Sequence, residues 1–258
     1  MSERGGPQFI PRPPTWSPGG PASWQRGPGW VASLGADDLR GAFRDRPAGR
    51  PAVGLDPGAR ASAVAVLVLD DEVDGLTVIL TRRAWHMRDH RGEVSFPGGG
   101  ADEGDADAVA TALREAREEI GLDPALVEVV GELDHRTTRI TDRFIVPVVG
   151  VLQARPELVA ADDEVDGILL VPLAELTAPG VHRQEHWDWE SYAHDATQSL
   201  PQDGRLRRQG AVPMESAPER TLGLDRPMHF FELVGDTIWG ATAAMLDELL
   251  TVLANAAK

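Results

Sequence analysis

Two hydrophobic runs separated by a short polar segment in the middle of the chain predict a central β-hairpin. Residues 62–69 and 76–82 are rich in β-branched and aliphatic side chains, and the acidic segment 70–75 separates them. Two such runs on either side of a short turn are typical of paired strands. Further strands are predicted at 126–133, 143–152, 167–171 and 229–238.

Helical patterns flank these strands. Residues 37–43 predict a short helix, and a helix of about 14 residues begins near Asp107, where Gly121 closes it and Pro124 follows. A last amphipathic helix is predicted at 242–256 from the spacing of its apolar residues. These are Met245, Leu246, Leu249, Leu250 and Leu253. The mixture of elements predicts an α/β protein with a sheet flanked by helices.

The two polar stretches outside this pattern suggest a domain organisation. Residues 1–59 are predicted to form an N-terminal arm with a short helix, because glycine and proline interrupt regular elements there. We expect its tryptophans, Trp16, Trp24 and Trp30, to pack onto the domain or onto a second copy of the chain in a homodimer. Residues 60–258 form the predicted domain, with a polar surface insertion near 194–227.

Composition narrows the classes of function. The chain has 258 residues and a formal net charge of -16, so its field repels nucleic acids and anionic membrane surfaces. It contains no cysteine, which excludes thiolate chemistry and favours a reducing compartment. The longest apolar runs, 61–69 and 144–152, are shorter than the roughly 20 residues that cross a bilayer as a helix. We therefore expect a cytoplasmic protein that binds neither nucleic acids nor membranes.

Three glutamates fall together on the helix that begins near Asp107. At about 100° per residue, Glu115, Glu118 and Glu119 point away from the predicted buried stripe and share one exposed face. That stripe consists of Val109, Leu113, Ala116 and Ile120. Most acidic clusters are solvated helix faces. A divalent cation would nevertheless turn their mutual repulsion into attraction, since oxygen ligands suit Mg²⁺ or Mn²⁺.

The helix and the glycines before it resemble the Nudix box, G-x5-E-x7-R-E-U-x-E-E-x-G-U. Gly100 and residues 114–122 match it, whereas Ala106 stands where the box has glutamate, with Asp105 and Asp107 on either side. The resemblance implies a Nudix fold, an α/β/α sandwich around a mixed β-sheet. It also implies Mg²⁺ or Mn²⁺ bound by Glu115, Glu118 and Glu119, with Arg114 fixing the ligand geometry.

A second motif points to a substrate. Residues 79–99 resemble the segment before the Nudix box in coenzyme A pyrophosphatases, L-L-T-x-R-S-x-x-x-R-x-x-x-G-x-x-x-F-P-G-G. Arg83, Arg88, Gly92 and residues 96–99 occupy the matching places, and Ala84 replaces the usual serine. The resemblance implies cleavage of coenzyme A or its thioesters to 3′,5′-ADP and a 4′-phosphopantetheine product.

The same resemblance suggests further roles. An acidic protein needs local cations to bind an anionic nucleotide, and the segment before the helix supplies Arg82, Arg83, Arg88, His90 and Arg91. Gly98 and Gly99 would let the backbone approach a phosphate. Glu118 and Glu119 are candidates for catalysis, and Glu164 is a candidate general base or extra ligand. Scattered surface arginines on a hairpin are the alternative interpretation.

Some alternatives remain open at this point. The aromatic residues Trp187, Trp189 and Tyr192 suit stacking on adenine, although packing onto the core is the simpler expectation. Another nucleoside diphosphate derivative, such as ADP-ribose, NADH or a dinucleotide, is a rival substrate. A non-catalytic Nudix ligand sensor is the rival from another class, and it is disfavoured because all three ligand glutamates are present.

Overall fold

The computed structural model describes residues 4–27, 29–50, 60–87, 90–137, 143–188 and 227–257. Its strands are β1 (Trp16–Pro18), β2 (Arg60–Asp71), β3 (Gly75–Arg83), β4 (Val94–Ser95), β5 (Gly98–Gly100), β6 (Glu128–Glu132), β7 (Arg136–Thr137), β8 (Arg143–Leu152), β9 (Val165–Pro172), β10 (His182–Trp187), β11 (Met228–Glu232) and β12 (Thr237–Trp239). Its α-helices are α1 (Ala36–Arg44), α2 (Ala108–Ile120), α3 (Leu173–Leu176) and α4 (Gly240–Ala256). Short 3₁₀ helices span Trp30–Ser33 and Pro124–Leu126.

The predicted hairpin is the centre of a mixed sheet. Strands β2 and β3 pair antiparallel, with Val68 opposite Val78, whereas β2 and β8 pair in parallel over ten residues from Arg60 opposite Arg143. The main path of the sheet runs β4-β3-β2-β8-β6, and β5, β7 and β9 pair with β2, β8 and β3. A sheet with both kinds of pairing confirms the predicted class.

Successive residues of β2 enter two different cores, because side chains alternate between the faces of a strand. Val66 and Val68 pack in the core that contains α1 and α4, whereas Leu67 and Leu69 pack in the core beneath α2. All four side chains are buried. The sheet is therefore covered on both faces, as an α/β/α sandwich requires, and this burial explains why β2 reads as a nearly continuous apolar run.

Helix α2 begins and ends where the sequence predicts. The Asp107 side chain accepts a hydrogen bond from the Ala110 backbone N–H at 2.8 Å, which caps the first turn. At the other end, Gly121 adopts a left-handed conformation with φ of 67°, which glycine tolerates better than other residues. The predicted buried stripe is only partly right, since Val109 and Leu113 are half-buried.

The N-terminal arm contributes the edge strand β1 to a second, smaller sheet with the order β1-β10-β11-β12. Trp24 is 1% exposed, stacks on Phe231 at 6.3 Å between ring centroids, and donates from Nε1 to Asp247 at 2.8 Å. Its packing onto the domain is confirmed. Trp16 is exposed, with the Arg12 guanidinium over its ring, so the packing onto the domain expected of it is wrong. The boundary near residue 59 stays a prediction, since 51–59 lie outside the described residues.

Two of the predicted strands are wrong in detail. The segment 229–238 forms β11 and β12 rather than one strand, because Gly235 turns the chain with a φ of 84° and lets the two strands pair antiparallel. Strand β6 begins at Glu128, since the Pro124–Leu126 helix occupies the start of the predicted range. Strand β10 was not predicted. The predicted insertion, apart from residue 227, lies outside the described residues.

Within the ranges that the structure describes, no helix combines the length and the apolar character needed to cross a membrane.

Candidate active site

The three glutamates of α2 differ sharply in exposure. Glu118 is exposed, Glu115 is partly buried, and Glu119 is only 5% exposed. The prediction that all three share an exposed face is therefore wrong for Glu119. The physical reason is β5, which is not among the strands predicted from the sequence; it pairs with β2 and packs against the helix.

The glycines of β5 make room for these carboxylates. A Cβ atom at Gly99 would lie 2.5 Å from the carboxyl carbon of Glu115, a distance that real structures do not tolerate. The Gly98 backbone N–H donates to Oε2 of Glu119 at 3.3 Å. In this structure Gly98 and Gly99 therefore contact the glutamates directly, whereas contact with a phosphate stays a prediction.

Burial changes the acidity of two of the glutamates. Removal from water disfavours a charged carboxylate, and it raises the pKa of Glu119 to about 7. The same cause raises the pKa of Glu115, although its contact with Arg114 works in the opposite direction. The negative charge of Glu164 adds to both increases. These carboxylates lie in an environment that a cation would stabilise.

Arg114 connects the glycine strand to the helix. Its guanidinium contacts Oε1 of Glu115 at 3.0 Å and Oε2 of Glu118 at 2.8 Å, and it donates to the Gly100 carbonyl at 2.8 Å. The contacts with Glu115 and Glu118 suit the orienting role expected of Arg114, and the hydrogen bond to Gly100 anchors it to the backbone. One cation thus orients two candidate metal ligands against the backbone beneath them.

Asp105 is the residue that sequence reasoning missed. Its carboxylate accepts hydrogen bonds from Arg114 at 3.0 to 3.3 Å, and this pairing lowers the pKa of Asp105 to about 2. Asp107, the other acid next to Ala106, caps the helix instead. Asp105 thus supplies a carboxylate beside the position where the box has glutamate. The sequence carried the signal, because two acids flank Ala106.

Glu164 and Arg83 reach the same side of the molecule as α2. The Ala84 backbone N–H donates to the Glu164 carbonyl at 2.9 Å, which ties the Glu164 loop to the end of β3. The charge of Arg83 works to lower the pKa of Glu119. Among the described residues, the buried Nε of Arg83 has no hydrogen-bond partner.

Other predicted cations lie elsewhere or are already paired. Arg82 donates to Asp236 at 2.8 and 2.5 Å and contacts Asp166 at 3.2 Å, so the expectation that it helps to bind a nucleotide is wrong. The His90 ring lies 3.0 Å from Glu93. Arg88 lies outside the described residues.

Of the three aromatic residues considered for adenine stacking, the structure describes only Trp187. Trp187 is buried, with its ring 6.0 Å from Phe230 and 6.5 Å from Trp239, which confirms the packing interpretation for this residue. Trp189 and Tyr192 lie outside the described residues.

Comparisons with known proteins agree with this arrangement. The NUDIX domain family model matches residues 59–194. A protein named uncharacterized Nudix hydrolase NudL from Shigella flexneri serotype 5b is 38% identical over 144 residues, which are 55% of this chain and 72% of that protein. The protein of the same name from Escherichia coli strain K12 is 40% identical over 116 residues, covering 45% and 59%.

A solved structure is similar as well. The crystal structure of a MutT/nudix family protein from Enterococcus faecalis has a TM-score of 0.43 and 15% identity, covering 86% of this chain and 70% of that one. A similarity of this size concerns the fold alone and carries no information about substrate.

Asp105→Asn should lower kcat/KM by about tenfold to 100-fold, the range found when an outer partner of a metal ligand is removed. The loss should arise because Arg114 no longer holds Glu115 and Glu118 in place. Asp107→Asn is the matched control, since asparagine caps a helix as well as aspartate does. Steady-state kinetics with a divalent cation would check this. Equal losses in both variants would contradict the role of Asp105.

Proposed function

The chain belongs to the Nudix family, and from that premise we propose that it hydrolyses the pyrophosphate bond of coenzyme A or of its thioesters. Membership of the family makes it a hydrolase of phosphoric anhydride bonds in nucleotide derivatives. The proposed products are 3′,5′-ADP and 4′-phosphopantetheine or its acylated form. The observation that carries the proposal is the placement of Glu115 and Glu119 against the glycines of β5, with Arg83 nearby.

Nudix hydrolases generally depend on divalent metals, and the donors on α2 fit that requirement. We propose that Glu115, Glu118 and Glu119 bind Mg²⁺ or Mn²⁺, which prefer carboxylate oxygens. The Glu119 carboxylate is buried, with a hydrogen bond to Gly98 and a raised pKa. A bound divalent cation lowers the pKa of a ligand water and offsets charge on the phosphates.

The remaining residues act by positioning and by proton transfer. Arg114 orients Glu115 and Glu118 through the contacts described above. Glu164 has an exposed side chain whose charge acts on both Glu115 and Glu119, which supports its role as general base or as an additional ligand. In the first role its carboxylate accepts the proton of the attacking water.

We assign substrate binding to the segment between β3 and β5. The Nε–H group of Arg83 has no hydrogen-bond partner in the part of the chain that the structure describes, and Arg88 and His90 follow it in the chain. Gly98 and Gly99 are the proposed backbone contacts to a phosphate. Cationic side chains beside a pyrophosphate provide charge-assisted hydrogen bonds, which this acidic chain needs in order to bind a polyanion.

Three further properties are proposed from the sequence. These are the cytoplasmic location, the absence of nucleic-acid and membrane partners, and a homodimer. Hydrolysis of ADP-ribose, NADH or a dinucleotide is the alternative activity. The buried Ala84 departs from the serine of the coenzyme A pyrophosphatase motif, so the substrate test includes these compounds. The intact glutamates argue against a sensor without catalysis.

Glu119→Gln should lower kcat by at least about 100-fold, because it removes one preorganised charge while keeping the shape of the side chain. Glu103→Gln removes the same charge from an exposed position outside α2 and should leave turnover unchanged. Product formation with saturating Mg²⁺ or Mn²⁺ measures the effect. Near-normal turnover in Glu119→Gln would rule out this ligand assignment.

The same variant should change how stability depends on pH in protein treated with a chelator. Between about pH 4.5 and pH 7 the unfolded chain has released the Glu119 proton, whereas the folded chain still holds it. Folding of the unmodified protein therefore loses stability as the pH rises through this range. Glutamine binds no such proton, so Glu119→Gln should not lose this stability. The difference in melting temperature between Glu119→Gln and Glu103→Gln should therefore grow in favour of Glu119→Gln as the pH rises from about 4.5 to about 7. A pH-independent difference would contradict the buried, protonated state.

Coenzyme A differs from ADP-ribose and NADH in its 3′-phosphate, which makes the substrate testable. A charge-assisted contact to phosphate contributes roughly 1.5–3 kcal/mol, so 3′-dephospho-coenzyme A should show a kcat/KM about tenfold to 150-fold lower. Arg88→Ala should erase most of that difference, and Arg117→Ala, on the exposed face of α2, should preserve it. Mass spectrometry of the products would identify the bond that is cleaved. Faster hydrolysis of ADP-ribose than of coenzyme A would favour the alternative.

A further inference from the structure

A second cluster of possible metal ligands lies away from α2, between the small sheet and α4. It consists of His182 on β10, His229 on β11 and Asp247 on α4. Among the residues that the structure describes, no other group of three brings its ligand atoms within 4.8 Å of one another. The glutamates of α2 are spread more widely, with Arg114 between Glu115 and Glu118.

The separations within this cluster match those of a metal site. Nδ1 of His229 lies 3.3 Å from Nε2 of His182 and 3.3 Å from Oδ1 of Asp247. The third separation, from His182 Nε2 to Asp247 Oδ1, is 4.0 Å. Ligands about 2.0–2.1 Å from a tetrahedral ion are about 3.4 Å apart. Two of the three separations therefore already suit a small ion, and the third needs to shorten by about half an ångström.

Hydrogen bonding alone does not satisfy these atoms. If Nδ1 of His229 carries the proton, that single proton faces both His182 and Asp247, and the proton of His182 then lies on its own Nδ1. Within the described part of the chain, that buried Nδ1 has no hydrogen-bond partner. If Nε2 of His182 carries the proton instead, an unprotonated nitrogen of His229 faces the Asp247 carboxylate. A cation accepts electron pairs from all three atoms at once.

His182 and Asp247 have the charge states of metal ligands. Burial lowers the pKa of His182 to about 4, so its imidazole is neutral near neutral pH. Burial works to raise the pKa of Asp247, but hydrogen bonds from His229 and Trp24 outweigh it and the net pKa is lowered. The 2.8 Å hydrogen bond from Trp24 Nε1 also orients the carboxylate, as outer-shell donors do in metal sites.

We propose that His182, His229 and Asp247 bind one Zn²⁺ ion, which fastens α4 to the small sheet and lies apart from the glutamates of α2. Imidazole nitrogens with a single carboxylate suit Zn²⁺ better than they suit Mg²⁺. By joining β10, β11 and α4 the ion would stabilise the fold, and its three protein ligands leave one coordination position open.

The cluster is most accessible to solvent on the side of Asp247. The His182 side chain is 2% exposed, whereas those of His229 and Asp247 are 10% and 20% exposed. Asp247 lines an open cavity of about 530 Å³ together with Ser23 and Thr251. A water molecule from this cavity provides the fourth ligand that a tetrahedral ion requires.

The test uses the full chain with two of the three α2 glutamates changed, Glu115→Gln and Glu119→Gln, so that competition from the first site is weakened. Chelator-treated protein is dialysed against Zn²⁺, and bound zinc is measured by elemental analysis. We expect one zinc per chain and an increase in melting temperature. Asp247→Asn and His229→Gln should each weaken zinc binding at least about 100-fold and abolish that increase.

His186→Gln is the matched control, because His186 is exposed on the same strand as His182. It should leave zinc binding unchanged. X-ray absorption at the zinc edge provides a second measurement on the unmodified protein, since two imidazole ligands are expected at this cluster and none at the glutamates. The proposal would be overturned if the chain with all three ligands intact failed to retain zinc. Equal retention in Asp247→Asn, or a zinc spectrum without imidazole scattering, would overturn it as well.

Discussion

The close approach of α2 to the glycine strand β5 is the constraint on which the candidate active site depends. At Gly99 a single added carbon would overlap the Glu115 carboxylate, and at Gly98 the backbone N–H is a hydrogen-bond donor to Glu119. This packing removes two carboxylates from water and holds them together, which raises their pKa values. The arrangement therefore stores unfavourable electrostatic energy that a divalent cation relieves.

Arg114 holds the carboxylates of this arrangement in position. It connects Glu115, Glu118 and the Gly100 carbonyl, and it is fixed in turn by Asp105. An isolated carboxylate triad would spread apart by repulsion, whereas a planar guanidinium with several donors can hold its members in defined positions. The residue before Ala106 thus supplies the acidic group that the usual position lacks.

Much of the fold could be predicted from local patterns. The hairpin of β2 and β3 and the ends of α2 follow from apolar runs, a capping aspartate and a closing glycine, all of which act within a few residues. The burial of Glu119 could not be predicted, because it depends on β5 pairing with β2 more than thirty residues earlier in the chain. Helical periodicity assigns a residue to a face but does not say what covers that face.

The same limit explains the other misjudged residues. The sequence suggests Arg82 as a nucleotide-binding cation, but its partner Asp236 lies 154 positions away and no local pattern reveals the pair. The His182, His229 and Asp247 cluster also joins distant segments, and β10 was not predicted at all. Motifs defined by local spacing could be recognised in the sequence, whereas contacts between distant segments could be identified only in the structure.

The most direct test of the central claim is the Mn²⁺ affinity of the Gly99→Ala variant, measured by electron paramagnetic resonance. The added methyl group should displace the Glu115 carboxylate and weaken Mn²⁺ binding at least about tenfold, since a displacement of about 1 Å from the productive geometry has large effects at such sites. Gly104→Ala, where a Cβ atom meets nothing within 4 Å, should bind Mn²⁺ as the unmodified protein does. Equal Mn²⁺ affinity in both variants would contradict the claim that the approach of α2 to β5 creates the site.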